Sequence, residues 1–159
     1  LPNMTRVEQD DWVSPKLGPW AARLDDYVSR ARRPVVLIAH SLGTSLIMHW
    51  AQTADTSRIA GAFMVAPSDR GPADIWPEAA TSGFAPMVLE PLPFPAMVLA
   101  SRDDPYVAFD RAELFASAWR ATLVDMGQAG HMGNAADLGL WPAGLIHLGA
   151  FLGTLTRPS

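Results

Sequence analysis

Short apolar runs alternate along the chain with longer segments in which apolar residues recur every three or four positions. Such runs, rich in β-branched residues, are typical of strands buried on both faces, and the periodic segments are typical of amphipathic helices. The runs predict strands over residues 4–7, 35–39, 59–65, 96–100 and 123–124. The helical spacing predicts helices over residues 20–33, 44–52, 109–119 and 142–155.

The alternation of strands and helices predicts an α/β fold with a mainly parallel sheet and helices on both faces, a small three-layer sandwich. The length of 159 residues and the lack of a dividing linker predict a single domain over residues 1–159. Because ligand sites of such sheets form at the carboxyl ends of the strands, the residues that follow each strand are the first candidates for chemistry.

Ser41 lies between a predicted strand and a predicted helix, with Ala39 and Gly43 two positions away on either side. A sharp turn at that point brings the flanking positions so close that larger side chains would collide. The pattern indicates a nucleophile elbow in which Ala replaces the usual first Gly. The alternative is that Ser41 only caps the following helix.

A serine hydroxyl is a poor nucleophile unless a base accepts its proton, and the chain offers four histidines. His49 and His147 fall inside predicted helices, which favours a packing or surface role, and His40 points away from Ser41 if the strand geometry continues. His131 follows the last predicted strand in a glycine-containing loop, where the apolar periodicity does not require an imidazole. His131 is therefore the favoured base.

An imidazole base needs a carboxylate that fixes its tautomer and stabilises its charged form. Asp103 and Asp104 follow a predicted strand, and Asp125 lies six residues before His131. Spacing does not choose between Asp103 and Asp104, each of which could instead be a turn or cap residue, and Asp125 is a weaker third option. The chain order Ser41, Asp104, His131 is the order found in α/β-hydrolases.

Composition narrows the functional classes. Apolar residues make up 49% of the chain and charged residues 18%, which indicates an ordered globular protein. The formal net charge of -4 provides no basic surface for nucleic acid, and no apolar run reaches the length of a membrane span. The absence of Cys excludes disulfides and thiolate metal sites and fits the cytoplasm. Nucleotide-binding and zinc-helix motifs are also absent from the sequence, so we expect no cofactor or metal.

Several motifs resemble the small serine hydrolases of the retinoblastoma-binding-protein-9 and YdeN-like family. They are AHSLGT at residues 39–44, SRDDPYV at 101–107 and GHMGNAADLGLWPAG at 130–144, with VEQDDW at 7–12 in agreement. The resemblance covers nearly the whole chain and implies the α/β-hydrolase fold, with Ser41 as nucleophile and His131 as base. The acid of that family is the Asp three residues before the Val of D-P-x-V, which is Asp104 here.

The resemblance is incomplete at the start of the chain. Members of that family begin with a strand and a Gly- and Trp-containing loop that have no counterpart here, and the sequence starts at Leu1 rather than Met. In α/β-hydrolases that loop supplies one N–H of the oxyanion hole, and the residue after the nucleophile, here Leu42, supplies the other. We therefore expect a first strand to be missing from this sequence by omission, and activity to be poor without it.

Residues 67–95 form an irregular stretch that holds seven of the fourteen prolines, where hydrolases of this fold can carry a cap over the pocket. Trp76, Phe84 and Met87 could line an acyl-binding cleft there or simply cover one face of the sheet. Trp141, beside Pro142, could be a pocket wall or a helix anchor.

Two hypotheses follow. The first is a cofactor-free serine hydrolase that acts on a small ester, thioester or amide through an acyl-enzyme intermediate. The second is a catalytically weak protein that keeps the hydrolase fold and serves as a protein-interaction module, for which the missing oxyanion loop is the motivation.

Overall fold

The computed structural model describes residues 4–71, 82–133 and 136–155, and Trp76 therefore lies outside the described residues. The helices and strands are, in chain order, α1 (Leu17–Ser29), β1 (Val35–His40), α2 (Leu42–Trp50), β2 (Ile59–Val65), β3 (Ala96–Ala100), α3 (Phe109–Ala118), β4 (Thr122–Asp125) and α4 (Pro142–Leu155).

The four strands form one parallel sheet in the order β1-β2-β3-β4. Its register pairs His40 with Val65, Val65 with Leu99, and Leu99 with Val124. The strands therefore end level with one another, and the segments that follow all four strands emerge at the same edge.

The core lies on both faces of the sheet because strand side chains alternate in direction. In β2, Met64 packs in the cluster that contains buried residues of α1, α2 and α3. Its neighbour Phe63 packs in the opposite cluster, where its ring lies 6.1 Å from that of Phe151 on α4. This arrangement confirms the predicted three-layer α/β-hydrolase sandwich with helices on both faces.

The prediction of a strand over residues 4–7 is wrong. The described residues 4–7 have no regular secondary structure. In the described sheet β1 pairs only with β2, so this segment does not add a strand beside it. Val7 packs instead against the core on the α1 side, and β1 is an edge of the described sheet with Ile38 45% exposed.

Candidate active site

Ser41 occupies a strained turn between β1 and α2. Its backbone has φ 54° and ψ -119°, a region that residues with a Cβ rarely adopt. The β1–β2 ladder extends into this turn, because Ser41 N–H donates to the Val65 carbonyl at 3.0 Å. A Cβ on Gly43 would lie 3.3 Å from the Ala39 Cβ, which is tight for two carbons. The two positions therefore approach as closely as the elbow pattern predicts. The space between them holds the methyl group of Ala39 but is tight for a second one on Gly43.

Ser41, His131 and Asp104 form an unbroken chain of hydrogen bonds. The distance from Ser41 Oγ to His131 Nε2 is 2.8 Å, and His131 Nδ1 lies 2.8 Å and 3.0 Å from the two carboxylate oxygens of Asp104. The Asp104 side chain is fully buried, and 18% of the His131 side chain is exposed. Asp104 Oδ1 also accepts the Tyr106 N–H at 2.9 Å, which fixes the carboxylate in place.

The hydrogen-bonding chemistry of the three groups indicates which nitrogen of His131 carries a hydrogen. An ionised carboxylate only accepts hydrogen bonds, so the His131 nitrogen that faces Asp104, Nδ1, carries the hydrogen. In the neutral imidazole, Nε2 is then the acceptor, and it faces the Ser41 hydroxyl. The arrangement can therefore remove a proton from Ser41 while the carboxylate stabilises the resulting imidazolium.

The two aspartates that spacing left as alternatives make different contacts. Asp103 Oδ1 accepts the Ser101 hydroxyl at 2.6 Å and the Gly130 N–H at 2.8 Å, and both bonds lower the pKa of Asp103. Asp125 pairs with Arg102 at 2.7 Å, and this pair lowers the pKa of Asp125. Neither carboxylate contacts the His131 imidazole, and both instead hold the backbone or side chains around it.

The other histidines make different contacts. His40 Nε2 is 2.8 Å from the His131 carbonyl oxygen, and its ring lies 4.7 Å from the His131 ring. His49 Nε2 is 3.2 Å from the Phe84 carbonyl oxygen. His147 is a half-buried residue of α4.

Leu42 is the first residue of α2. The N–H groups of the first helical turn have no acceptor within their own helix, so the Leu42 N–H is available to a ligand next to Ser41. The positive end of the helix dipole adds to its attraction for a developing negative charge.

A cavity of about 550 Å³ is lined in part by Asp104. Tyr106 lines this cavity and also packs edge-on against His131, with 4.5 Å between the ring centroids. One wall carries an ion pair in which Arg111 Nε lies 2.7 Å from the buried Asp69 carboxylate, and this pair raises the pKa of Arg111. The site is therefore flanked by a mainly apolar recess whose wall carries one ion pair between a buried carboxylate and a partly exposed guanidinium.

Phe84 and Met87 lie in the core of the described structure and are not among the residues that line the cavity beside Asp104, which favours the second of their two predicted roles, covering one face of the sheet. Phe84 is fully buried and packs edge-on against Trp20 at 5.7 Å. Met87 is 8% exposed and accepts the Ser45 hydroxyl through its sulfur at 3.4 Å. Both side chains cover the sheet on the α1 side, because apolar groups of this size gain most from complete burial.

Trp141 packs on the helix that follows it. A Cβ on Gly144 would lie 2.2 Å from the Trp141 ring, so the ring covers the first turn of α4 at a position that only glycine fits. Leu145 N–H donates to the Trp141 carbonyl at 3.1 Å. These contacts are those of a helix anchor, the second of the two predicted roles.

Sequence reasoning missed the contacts of His40 and the wall formed by Tyr106, Asp69 and Arg111. The position of Tyr106 two residues after Asp104 is a signal that could have found it. Asp69 and Arg111 are 42 residues apart, and no local pattern links them.

Within the described ranges, no three His, Asp or Glu side chains cluster closely enough to hold a metal ion. Over the same residues, none of the helices combines the length and apolar character needed to cross a membrane.

Comparisons with known proteins identify the family of this chain. The sequence model of the serine hydrolase family matches residues 1–150. A YdeN-like hydrolase from Pectobacterium atrosepticum is 33% identical in sequence, with a TM-score of 0.83 over 98% of this chain and 80% of its own. A search of curated proteins gave no match.

More distant structures share the fold. The ydeN gene product of Bacillus subtilis has a TM-score of 0.74 at 18% identity, covering 92% of this chain and 80% of its own. Est1E from Butyrivibrio proteoclasticus, solved with ferulic acid bound, has a TM-score of 0.70 at 13% identity, covering 89% of this chain and 70% of its own. The family match over nearly the whole chain and the fold agree, and the protein belongs to the serine hydrolase family, as an esterase-like enzyme of the YdeN-like branch of the α/β-hydrolases.

Proposed function

We propose that this hydrolase cleaves a small ester, thioester or amide through a Ser41–His131–Asp104 triad. The observation that carries the proposal is the continuous hydrogen-bond chain, with 2.8 Å from Ser41 Oγ to His131 Nε2 and 2.8 Å from His131 Nδ1 to Asp104 Oδ2. These are the distances at which a base can take a proton from a nucleophile while a carboxylate orients the base.

In the acylation step, Ser41 Oγ attacks the carbonyl carbon of the substrate as His131 Nε2 takes the hydroxyl proton. The carbonyl oxygen becomes negatively charged, and the Leu42 N–H at the start of α2 stabilises that charge. Collapse of the tetrahedral intermediate breaks the bond to the leaving group, which receives the proton from His131. An acyl group then remains on Ser41.

In the deacylation step, water attacks the acyl carbon while His131 accepts one of its protons. The acid product leaves as the proton returns to Ser41 Oγ, so the enzyme is regenerated without a cofactor. The charged imidazolium forms in both steps, and the buried Asp104 carboxylate stabilises it each time.

The recess beside Tyr106 supports the proposal that the substrate is small. Its lining includes Pro105, Tyr106 and Val107, whose side chains offer apolar contacts to a compact group. Because Tyr106 also touches His131, a group bound in the recess would lie next to the base.

Labelling with a fluorophosphonate probe tests the nucleophile, because such probes react with activated serines. We expect the wild-type protein to be labelled and Ser41→Ala to give no labelling, while Ser45→Ala, which removes a buried hydroxyl one helical turn away, leaves labelling intact. Labelling of Ser41→Ala at the wild-type rate would exclude Ser41 as the nucleophile.

Hydrolysis of short-chain nitrophenyl esters by the intact gene product separates the enzyme from a binding module. Turnover is expected between about pH 6 and pH 9, the range in which enzymes that use a histidine as general base commonly work. Absence of turnover at every pH in that range would favour the interaction module.

A further inference from the structure

His131 lies on a segment without regular structure, residues 126–133, which we term the His131 loop. Positive φ angles at Gly127, Gly130 and Met132 mark its sharp turns. A shift of about 1 Å in a catalytic group can cost about a hundredfold in rate, so the backbone of this loop must be held from outside.

Side chains that follow β3 hold the loop on one side of His131. The Ala129 N–H donates to Ser101 Oγ at 2.9 Å, and the Gly130 N–H donates to Asp103 Oδ1 at 2.8 Å. Ser101 Oγ in turn donates to Asp103 at 2.6 Å, so the two acceptors form one connected unit. The Ala129–Gly130 peptide group, one residue before His131, is therefore held by a fixed carboxylate.

His40 holds the loop on the other side. Its Nε2 lies 2.8 Å from the His131 carbonyl oxygen, and because a carbonyl only accepts, Nε2 must carry a hydrogen and donate it. The ring also packs against Gly133, where an added Cβ would lie 3.2 Å from His40 Cε1. The peptide group that follows His131 is therefore fixed as well.

The charges around His40 are consistent with a neutral donor. Burial lowers the pKa of His40, the bond to the His131 carbonyl raises it, and the neighbouring His131 and Asp104 act in opposite directions. His40 as a residue is exposed to solvent, and the crowded side of its ring faces His131 and Gly133.

We propose that His40 is a positioning residue that, together with Asp103, holds the backbone before and after His131 and so fixes the imidazole between Ser41 and Asp104. This role rests on the proposed function, because it requires His131 to be the base. His40 acts through the His131 backbone and does not touch the reacting atoms.

The first test replaces His40 in the full chain and measures steady-state hydrolysis of p-nitrophenyl acetate. His40→Leu removes the donor, and His40→Gln keeps one, because glutamine Nε2 is the same number of bonds from Cα as histidine Nε2. We expect His40→Leu to lower kcat about 10- to 100-fold with KM changed less than about threefold, and His40→Gln to recover at least about one third of wild-type kcat.

His49→Leu is the matched control. It removes the same type of bond, from an imidazole Nε2 to a backbone carbonyl, at 3.2 Å from the Phe84 oxygen and away from His131. A purely structural role for His40 predicts similar losses in the two leucine variants. The positioning role predicts that His49→Leu keeps wild-type kcat, and thermal unfolding of each variant shows whether it is folded.

The second test addresses the other side of His131 and decides the matter if His40→Leu does not fold. Asp103→Ala removes the acceptor for the Gly130 N–H, whereas Asp103→Asn keeps an oxygen there. We expect kcat to fall about tenfold or more in Asp103→Ala and to stay within about threefold of wild type in Asp103→Asn.

Two results would overturn the proposal. One is a kcat for His40→Leu within twofold of wild type, and the other is a His40→Gln variant no faster than His40→Leu. Ser41→Ala is assayed in parallel: wild-type turnover of that variant overturns the triad itself, whereas an inactive Ser41→Ala beside a normal His40→Leu overturns only the positioning role.

Discussion

At the scale of single residues, the molecule tolerates backbone strain at the candidate nucleophile and tight contact at a pair of positions beside it. Ser41 keeps φ 54°, which costs of the order of 1–3 kcal/mol and persists only where the surrounding structure enforces it. The surroundings here are the ladder bond to Val65 and the close approach of Ala39 and Gly43. Side-chain volume at Ala39 and the identity of the acid at Asp104 are therefore the most sensitive single-residue features.

Ala39→Val should distort the elbow. The Ala39 Cβ already lies so near Gly43 that a Cβ added there would be only 3.3 Å away, and valine adds two methyl groups to this Cβ. Overpacking of this kind costs about 1–3 kcal/mol of unfolding free energy. We expect kcat/KM to fall roughly tenfold or more as well, because Ser41 would shift. Ala39→Gly restores the commoner elbow sequence and should keep activity, at a cost of about 0.5–1 kcal/mol in stability. Denaturant unfolding and ester hydrolysis measure both, and equal activity in the two variants would contradict the steric argument.

Asp104→Asn should lower kcat by about 10³- to 10⁴-fold, because a neutral amide neither selects the Nδ1–H tautomer of His131 nor stabilises the imidazolium. Asp125→Asn is the control, since its exposed side chain pairs with Arg102 and does not contact the imidazole. Steady-state kinetics on a nitrophenyl ester provide the comparison. Comparable losses in both variants would argue that charge in the region, rather than contact with His131, matters.

At the scale of elements, the segments that follow β3 and β4 form one hydrogen-bonded unit. The Arg102 N–H donates to the Gly127 carbonyl at 2.7 Å, and the Met126 N–H donates to the Ala100 carbonyl at 2.8 Å. With the bonds of Ser101 and Asp103, these contacts tie the His131 loop to the end of β3. The stability of the loop therefore depends on these polar contacts. Because one of the acceptors is the Asp103 carboxylate, we expect the loop to be sensitive to acid.

Asp103 should contribute to the loss of stability in acid. The bonds from Ser101 and Gly130 lower its pKa below the ordinary value of 3.8. Above pH 3.8 the carboxylate is charged in the folded and unfolded chain, and its contribution to stability is fully present. As the pH falls below that value, the unfolded chain takes up the proton first, so the contribution is lost as the pH passes through the lower folded pKa.

Asp103→Asn does not titrate, so its unfolding free energy should fall less steeply than that of the wild type between pH 5 and about pH 2.5. Urea unfolding at a series of pH values measures the difference. If the unfolding free energies of the two proteins changed in parallel with pH, Asp103 would have the same pKa in the folded and unfolded states.

At the scale of the whole molecule, the level carboxyl ends of the four strands explain why the candidate site lies where it does. Ser41 follows β1, Asp104 follows β3 and the His131 loop follows β4, all at one edge of the sheet. The helices α1, α2 and α3 cover one face of the sheet, and α4 covers the opposite face. On the α4 side, Gly61 leaves room for Phe151 and Leu155. The site therefore depends on the layers keeping their spacing.

Gly61→Ala should test that spacing. Its Cβ would lie 2.9 Å from the Phe151 ring and 3.0 Å from the Pro95 carbonyl oxygen, so we expect a loss of about 1–3 kcal/mol in unfolding free energy. Gly149→Ala, on α4 itself, meets nothing within 4 Å and should stabilise the protein by up to about 1 kcal/mol through helix propensity. Denaturant unfolding of the pair separates packing between layers from the intrinsic preference of the chain, and destabilisation by both would contradict this account.

The sequence by itself determined the order of the elements and the residues with reactive side chains. Strands over residues 35–39, 59–65 and 96–100 were predictable because buried parallel strands need continuous apolar runs, and the elbow was predictable because its small residues are close in sequence. The pattern over residues 4–7 wrongly predicted a strand, because a strand forms only when another strand pairs with it and a local pattern does not show whether one does. The single-domain organisation of the chain remains a prediction.

Only the tertiary structure decided the contacts between distant residues. Asp103 and Asp104 are adjacent and chemically identical, yet one faces the Gly130 N–H and the other the His131 imidazole, because the turn that follows β3 directs the two side chains differently. The burial of Phe84 and Met87 and the bond from His40 to the His131 carbonyl likewise depend on the packing of layers around the sheet. Periodicity reports which face of an element is apolar, but the partner that covers that face is chosen by the fold as a whole.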